Sequence, residues 1–482
     1  EELVFIGENK APGMKIKREH SGVTFTLPGI SVSYSSTTGL LSFRNAEGEL
    51  ILQESARKVC ESEIRGVPCY DVTQSFGASE DEHIYGTGQF QDGYLDVKGL
   101  PRRLTQVNSQ ISVPFILSNK GYAVLWHNYG LTDFNPVPGC IELQEDTMDG
   151  KGSEVNATGT GGNRREMRFF SEYIGTLSVP EKGRYALLLD MGQEMSRKQF
   201  ISIDGEVLAD YTNVWLPPTT SLFADLEAGE HLVKVRGVRG DSPKLFWGPV
   251  EESTTFHSPV ATGLDYTVFA GNADECIASY RRLTGEVPPM PDWMFGYIHC
   301  RERYSSSEEI LANAAEFKSR GIPLDVIVQD WQWWGKYGWN ALRFDEDHYP
   351  DPKALTDSLH KDDVHLMLSV WSRVDVNSEV GKALSRKGYY MENSDWVDFL
   401  DPDAANDYCR SFLDSLGRFG IDAWWFDATE PENDAMAGRN VGADGIPGEF
   451  YRNVYPLKVN STMYGGLKEL SEGEPAILTR SA

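Results

Sequence analysis

The chain is short of cations: Lys and Arg total 45 against 72 Asp and Glu, a formal net charge of -27. A surface of that sign repels phosphate backbones and anionic membranes, so nucleic acid is not an expected partner. Long apolar runs are missing too, since no stretch approaches the ~20 residues of a membrane-spanning helix. The six cysteines (Cys60, Cys69, Cys140, Cys276, Cys300, Cys409) show no C-x-x-C spacing, which removes the usual zinc-ribbon patterns. They read as buried thiols, with Cys60 and Cys69 near enough in sequence to clip a local loop. The nine histidines show neither H-x-H nor H-E-x-x-H spacing, so no metal or organic cofactor is implied. Tyr85-Gly86-Thr87-Gly88-Gln89-Phe90 lacks the G-x-x-G spacing and the helix of a dinucleotide loop, and is read as a turn. No Gly-Lys-Ser/Thr follows the glycines of 159–163, and there is no internal repeat. The chain opens at Glu1 without a signal peptide, as expected of a mature or trimmed product.

With 482 residues, two to four domains are expected. Residues 1–144 read as an antiparallel β-sandwich, from short runs such as Val23–Leu27, Ile30–Tyr34 and Val113–Leu117 between turn residues. A second β segment over 145–250 contains Phe169–Ile174, Tyr185–Leu189, Phe200–Ile203 with an Asp204-Gly205 turn, and His231–Val235. Residues 251–272 return to the first sandwich. From 273 to 482 helix and strand alternate, the mark of a parallel α/β architecture. The 12 Trp and 21 Tyr suit stacking on apolar sugar faces.

In the last segment, strands are expected at Met294–Ile298, Pro323–Gln329, Val364–Val370, near Trp396–Leu400, at Ala423–Phe426 and at Ala476–Leu478. Polar or aromatic groups stand at their ends: His299, Asp330, Trp371, Asp427 and Arg480. In a parallel barrel the carboxyl ends of the strands carry the chemistry. The guanidinium of Arg480 beside Asp427 would keep a nucleophilic carboxylate ionised. An ordinary ion pair at a barrel rim remains the alternative reading.

The runs G-R-Y-A-L-L-L-D, I-S-I-D-G-E-V and L-E-A-G-E-H-L-V-K-V-R resemble the PA14 domain, here inserted into the first sandwich. Four further stretches resemble glycoside hydrolase family 31, the retaining α-glycosidases: Tyr85–Gln89, L-D-V-I-V-Q-D-W-Q-W-W at Leu324–Trp334, W-W-F-D-A-T-E at Trp424–Glu430, and L-T-R-S-A at Leu478–Ala482. The resemblance implies that Asp427 is the nucleophile and that Asp330, Arg480 and Trp371 bind the sugar. Trp331, Trp333, His299, Gln89 and Phe90 would shape the walls, and Glu430 would orient its neighbours. It also implies a general acid in a W-x-G-D strand after the Arg480 motif. With about five strands of a (β/α)8 barrel countable, the sequence is expected to be part of a longer enzyme. Glu432 and Asp434, like Glu430, follow the nucleophile on its own loop and are weaker substitutes for that acid.

The W-W-F-D-A-T-E form, the Cys300–Tyr304 run and the PA14-like insert resemble the α-xylosidases that trim xyloglucan oligosaccharides. In those relatives the insert reaches over the active-site mouth, and the resemblance would make Trp215 or Trp247 of this chain candidate stacking residues. The expected activity is exo-acting and retaining on an oligosaccharide, with an α-glucosidase or α-transglucosylase as the alternative. A carbohydrate-binding protein without activity is the reading if the chain ends at Ala482. A polymer-derived glycan points to the periplasm or cell surface.

Overall fold

The computed structural model describes residues 2–6, 13–148, 152–159, 162–193, 195–432, 436–470 and 473–481. It resolves into two compact units. One comprises Glu1–Ala157, Arg165–Glu286 and Glu449–Asn453, and the other Thr158–Arg164, Val287–Gly448 and Val454–Ala482.

The first unit holds the expected sandwich. A nine-stranded sheet runs in the order Lys15–Glu19, Gly22–Leu27, Ile30–Ser35, Leu41–Asn45, Leu50–Ile64, Val67–Gly77, Ser253–Ala261, Thr132–Phe134, Arg102–Leu104. A four-stranded sheet runs Tyr266–Ala270, Tyr122–Trp126, Ile111–Ser118, Ile84–Gln89. Apolar residues alternate into a core of Val72, Phe76, Ile84, Ile116, Val124, Trp126, Phe134 and Phe256. The segment read as a turn at Tyr85–Phe90 is instead an edge strand. Gly86 and Gly88 permit it, because a Cβ on either would lie 2.5 Å from Phe115 O or 2.1 Å from Ile111 O. Between them Thr87 adopts φ 68 and the register with Ile111–Ser118 shifts, a bulge rather than a loop.

Within the same unit a second sandwich has its own core. Its sheets are Gly139–Glu142, Lys244–Pro249, Gly183–Asp190, Thr219–Leu226 and Gln144–Met148, Phe170–Val179, Gly229–Val238, Ser196–Ile203, Glu206–Leu216, each in spatial order. Between them are buried Leu177, Tyr185, Leu187, Leu189, Ile201, Val233 and Val235. The strands on either side of this excursion are neighbours, with Asp133 opposite His257 and Phe134 opposite Phe256. Helix α1 (Ala273–Thr284), capped reciprocally by Asn272 and Glu275, also belongs here. Its buried Cys276 packs with Ala123, Leu125 and Phe269. The compact unit therefore runs on to Glu286, past the boundary expected at 273.

All six cysteines are free thiols. No clip joins Cys60 to Cys69, because the hairpin register sets Cys60 opposite Asp71 and Cys69 opposite Ser62.

The second unit is built on a five-stranded parallel sheet in chain order: β1 (Ile298–Cys300), β2 (Val326–Gln329), β3 (His365–Trp371), β4 (Ala423–Asp427) and β5 (Ala476–Thr479). It is the sheet of a TIM-type half-barrel. Every residue of β2, and all of β3 after His365, is buried, as strands covered on both faces require. Helices α2 (Ser307–Ser319), α3 (Pro352–His360), α4 (Glu379–Lys387), α5 (Pro402–Leu416) and α6 (Tyr455–Leu470) alternate with the strands. Side chains of Ser306, Asp351, Ser378 and Asp401 accept hydrogen bonds from the first-turn amides of α2 to α5, and Pro opens α3 and α5.

Two strand expectations are corrected. The first strand starts later than Met294, because Pro291 opens a turn of 3-10 helix over Asp292–Phe295. Trp396–Leu400 forms no strand and pairs only through the single bridges Arg373 to Trp396 and Tyr390 to Val397. That leaves β4 directly beside β3.

Candidate active site

Parallel register gathers the strand ends. Trp371 pairs with Asp427 across β3 and β4, Phe426 with Thr479 across β4 and β5, and Gln329 with Leu368 across β2 and β3. Asp330, Trp371, Asp427 and Arg480 therefore stand together at the carboxyl ends of four adjacent strands.

Asp427 is held from two sides. Arg480 Nη2 lies 3.0 Å from Asp427 Oδ1, and the amide of Ala428 donates to the same oxygen at 2.8 Å. Ala428 takes φ 55, a left-handed conformation uncommon for a residue with a Cβ. Behind the pair, Glu430 is buried and accepts from Arg480 Nε at 3.1 Å and from Ser481 Oγ at 3.2 Å. One guanidinium thus serves two carboxylates. Burial pushes the Asp427 carboxyl above its usual range, Arg480 pulls it back, and Glu430 adds to the rise. Arg480 would lose basicity through burial, but Asp427, Glu430 and Glu432 raise it instead.

Asp330 accepts from the Trp331 amide at 2.7 Å and, among the described residues, forms no ion pair with an arginine. Burial, then the charge of Asp427, push it up to about 7. Asp330 thus holds its proton to higher pH than an ordinary aspartate. The sign for stability follows. The folded state binds the Asp330 proton more tightly than the unfolded chain, so this residue makes stability fall as pH rises from about 3.8 to about 7. Asp330→Asn is expected to flatten that decline, which chemical denaturation across the same pH range measures. A decline of unchanged slope in the variant contradicts the assignment.

An aromatic floor supports these groups. Trp371 meets Trp334 edge-on at 5.4 Å and Trp339 at 5.3 Å between ring centres. Its carbonyl accepts from Asn340 Nδ2 and from the Tyr408 hydroxyl, both at 2.6 Å. Trp331 stacks under the Arg303 guanidinium at 4.8 Å. Trp333 is fully buried, and its indole N–H donates to Ser369 O at 2.9 Å, so it braces the floor from below.

His299 does not face the site. Its ring packs 4.8 Å from Phe317 of α2 and its Nδ1 lies 3.2 Å from the Tyr297 hydroxyl. Because the first strand starts later than expected, His299 sits inside it, and alternation turns the next residue, Cys300, the other way. Burial of the thiol, then the charges of Asp330 and Asp427, push Cys300 up to about 12, although the residue as a whole is exposed. Sequence reasoning missed Cys300, Arg303, Trp339 and Asn340 as individual positions. The Cys300–Tyr304 run and the tryptophan-rich loop were the available signals.

Gln89 and Phe90 belong to the first unit. Gln89 is exposed at its strand end, while Phe90 lies 4.3 Å beneath the Arg102 guanidinium, itself paired with Asp92 at 2.6 Å. Trp247 packs against the core of the second sandwich, 6.0 Å from Tyr185, and Trp215 lies 5.8 Å from Arg197. Asp434 lies outside the described residues.

Residues 287–482 match the TIM-barrel domain of glycosyl hydrolases family 31. This barrel segment belongs to glycoside hydrolase family 31. An α-xylosidase of Saccharolobus solfataricus is 29% identical over 494 aligned residues, covering 97% of this chain and 51% of its own length. Alpha-glucosidase 2 of Bacillus thermoamyloliquefaciens is 26% identical over 58% of this chain and 40% of its own. Among solved structures, the family 31 α-xylosidase of Xanthomonas citri superposes with a TM-score of 0.85 at 25% identity, over the whole of this chain and 59% of that one. The chain thus spans about half the length of the archaeal relative.

Proposed function

We propose that the site belongs to a retaining exo-α-glycosidase that removes α-linked xylose from the non-reducing ends of xyloglucan-type oligosaccharides. The observation that carries this is Asp427, fixed at a strand end by Arg480 and the Ala428 amide, with Asp330 at the end of a nearby strand of the same sheet. In this reading Asp427 attacks the anomeric carbon and forms a covalent glycosyl-enzyme, which water then releases. Asp330 and Arg480 bind hydroxyls of the sugar, and Trp371 lines the floor of its subsite.

The acid that protonates the leaving oxygen must stand about 5–5.5 Å from the nucleophile in a retaining enzyme. Glu430 is committed to Arg480 and Ser481, so the proposal assigns that acid to sequence beyond these residues, which the greater length of the relatives allows. The similarity to α-xylosidases supports xylose over glucose. The proposal includes a PA14-like character for the second sandwich and action in the periplasm or at the cell surface.

The test compares 4-nitrophenyl α-xyloside with the α-glucoside on the longest native form of the protein, its intact mass measured first. Xyloside is expected to lead by about 10–200-fold in kcat/KM, the range that one packed hydroxymethyl group commands. A lead for glucoside moves the assignment to α-glucosidase, and no turnover of either rejects it.

A further inference from the structure

At the opposite end of the parallel sheet from Asp427, three side chains converge that the proposed reaction does not use. They are His360, the last residue of α3, His365, the first of β3, and Asp422, which immediately precedes β4. Their ligating atoms all lie within 4.8 Å of one another. We propose that this His-His-Asp cluster is a structural site for a divalent transition metal ion, with zinc as its representative.

The donor set fits such an ion: two imidazoles and one carboxylate suit zinc and its neighbours and are a poor match to calcium or magnesium, which take oxygen ligands. Two ligands are already oriented by contacts of their own. Asp422 Oδ2 accepts from the Leu366 amide at 2.9 Å, while the Asp422 amide donates to Leu366 O at 3.1 Å. The His365 ring is stacked on Trp293 at 4.1 Å and 18°. Such outer contacts are what fix a metal ligand's direction. His360 Nε2 stands 2.8 Å from Asp422 Oδ2 and is the exposed, adjustable member.

His365 Nδ1 is buried and lies 3.1 Å from Asp422 Oδ1, in ion-pair range, yet it makes no hydrogen bond. A buried polar atom without a hydrogen bond calls for an explanation, and an ion held between the imidazoles and the carboxylate supplies one. The ligands also belong to separate pieces of chain, so an ion here would tie the α3–β3 connection to the start of β4. Its effect is on stability, since β3 spans about 20 Å from His365 to the catalytic end. Spacing along the sequence could not show this, because the third ligand comes only with Asp422.

The test uses the tag-free chain, stripped by chelator dialysis, with thiols alkylated because Cys60, Cys140 and Cys300 are exposed and would compete. Titrated with zinc chloride, the wild type and His20→Ala, a surface control, are expected to take up one equivalent and to gain roughly 2–4 °C in Tm at saturation. His360→Ala and the bulkier His360→Gln are expected to bind at least tenfold more weakly and to lose the zinc-dependent gain. Absence of a saturable equivalent in the wild type, or equal binding in both His360 variants, overturns the proposal. A lower metal-free Tm in the variants with no zinc effect in any form also overturns it, and leaves a hydrogen-bonded latch.

Discussion

Asp427→Ala in the complete enzyme is expected to reduce kcat/KM on an aryl α-xyloside by ~10⁴-fold or more, as loss of a covalent nucleophile does. The side chain has no evident replacement. Its neighbour Glu430 is turned onto Arg480 and Ser481, and Asp330 is held at its own strand end by the Trp331 amide. Stability is expected to change little or to rise, because the variant removes a desolvated carboxylate whose burial is opposed by a single cation. Arg480 then still pairs with Glu430. Binding of xylose, followed by calorimetry, should survive. Activity within tenfold of wild type, with fold and binding retained, would falsify the nucleophile assignment.

Arg480→Met carries the second largest effect, and it acts on activity and stability together. Arg480 supplies the counter-charge to Asp427, and without it burial and Glu430 both favour the protonated carboxyl. The acid limb of the kcat/KM profile is expected to move upward by ~1–3 pH units. At neutral pH the loss is about 10²–10³-fold. The buried Glu430 loses the Arg480 guanidinium, a change that costs about 3 kcal/mol, at the low end for such pairs because Arg480 retains some contact with solvent. Arg480→Lys keeps the charge without the planar fork that spans Asp427 and Glu430, and should fall between the two. A Met variant with an unshifted acid limb would show that Arg480 is structural only.

Much of this site was legible because a buried parallel strand leaves a plain signature. Ala423–Phe426 is an apolar run with no alternation, and the first polar residue after it, Asp427, has to emerge at the strand end. The same reasoning located Asp330, Trp371 and Arg480. It failed where a strand is three residues long. Ile298–Cys300 is too short for its pattern to set the phase, and an error in its start put His299 just past the strand end, where it is in fact inside the strand. It failed again at Trp396–Leu400, whose aromatic and β-branched residues imitate a strand although only single bridges form. The bulged strand at Ile84–Gln89 was hidden by its glycines, which usually punctuate turns but here admit a neighbouring backbone. The Arg303 and Trp339 contacts come from loops whose course no periodicity encodes.

The second sandwich leaves its parent sheet after Phe134 and the chain re-enters at Ser253, with Phe134 and Phe256 already facing each other across one hydrogen-bonded pair of strands. Its hydrophobic interior draws on its own strands, and it meets the parent sandwich at a few points: Phe223 packs against that core, Ser221 Oγ donates to Pro101 O, and Arg103 pairs with Asp190 at 2.5 Å. Because both ends of the excursion lie on neighbouring strands, its length can vary in evolution with little change to the path of the sheet that receives it.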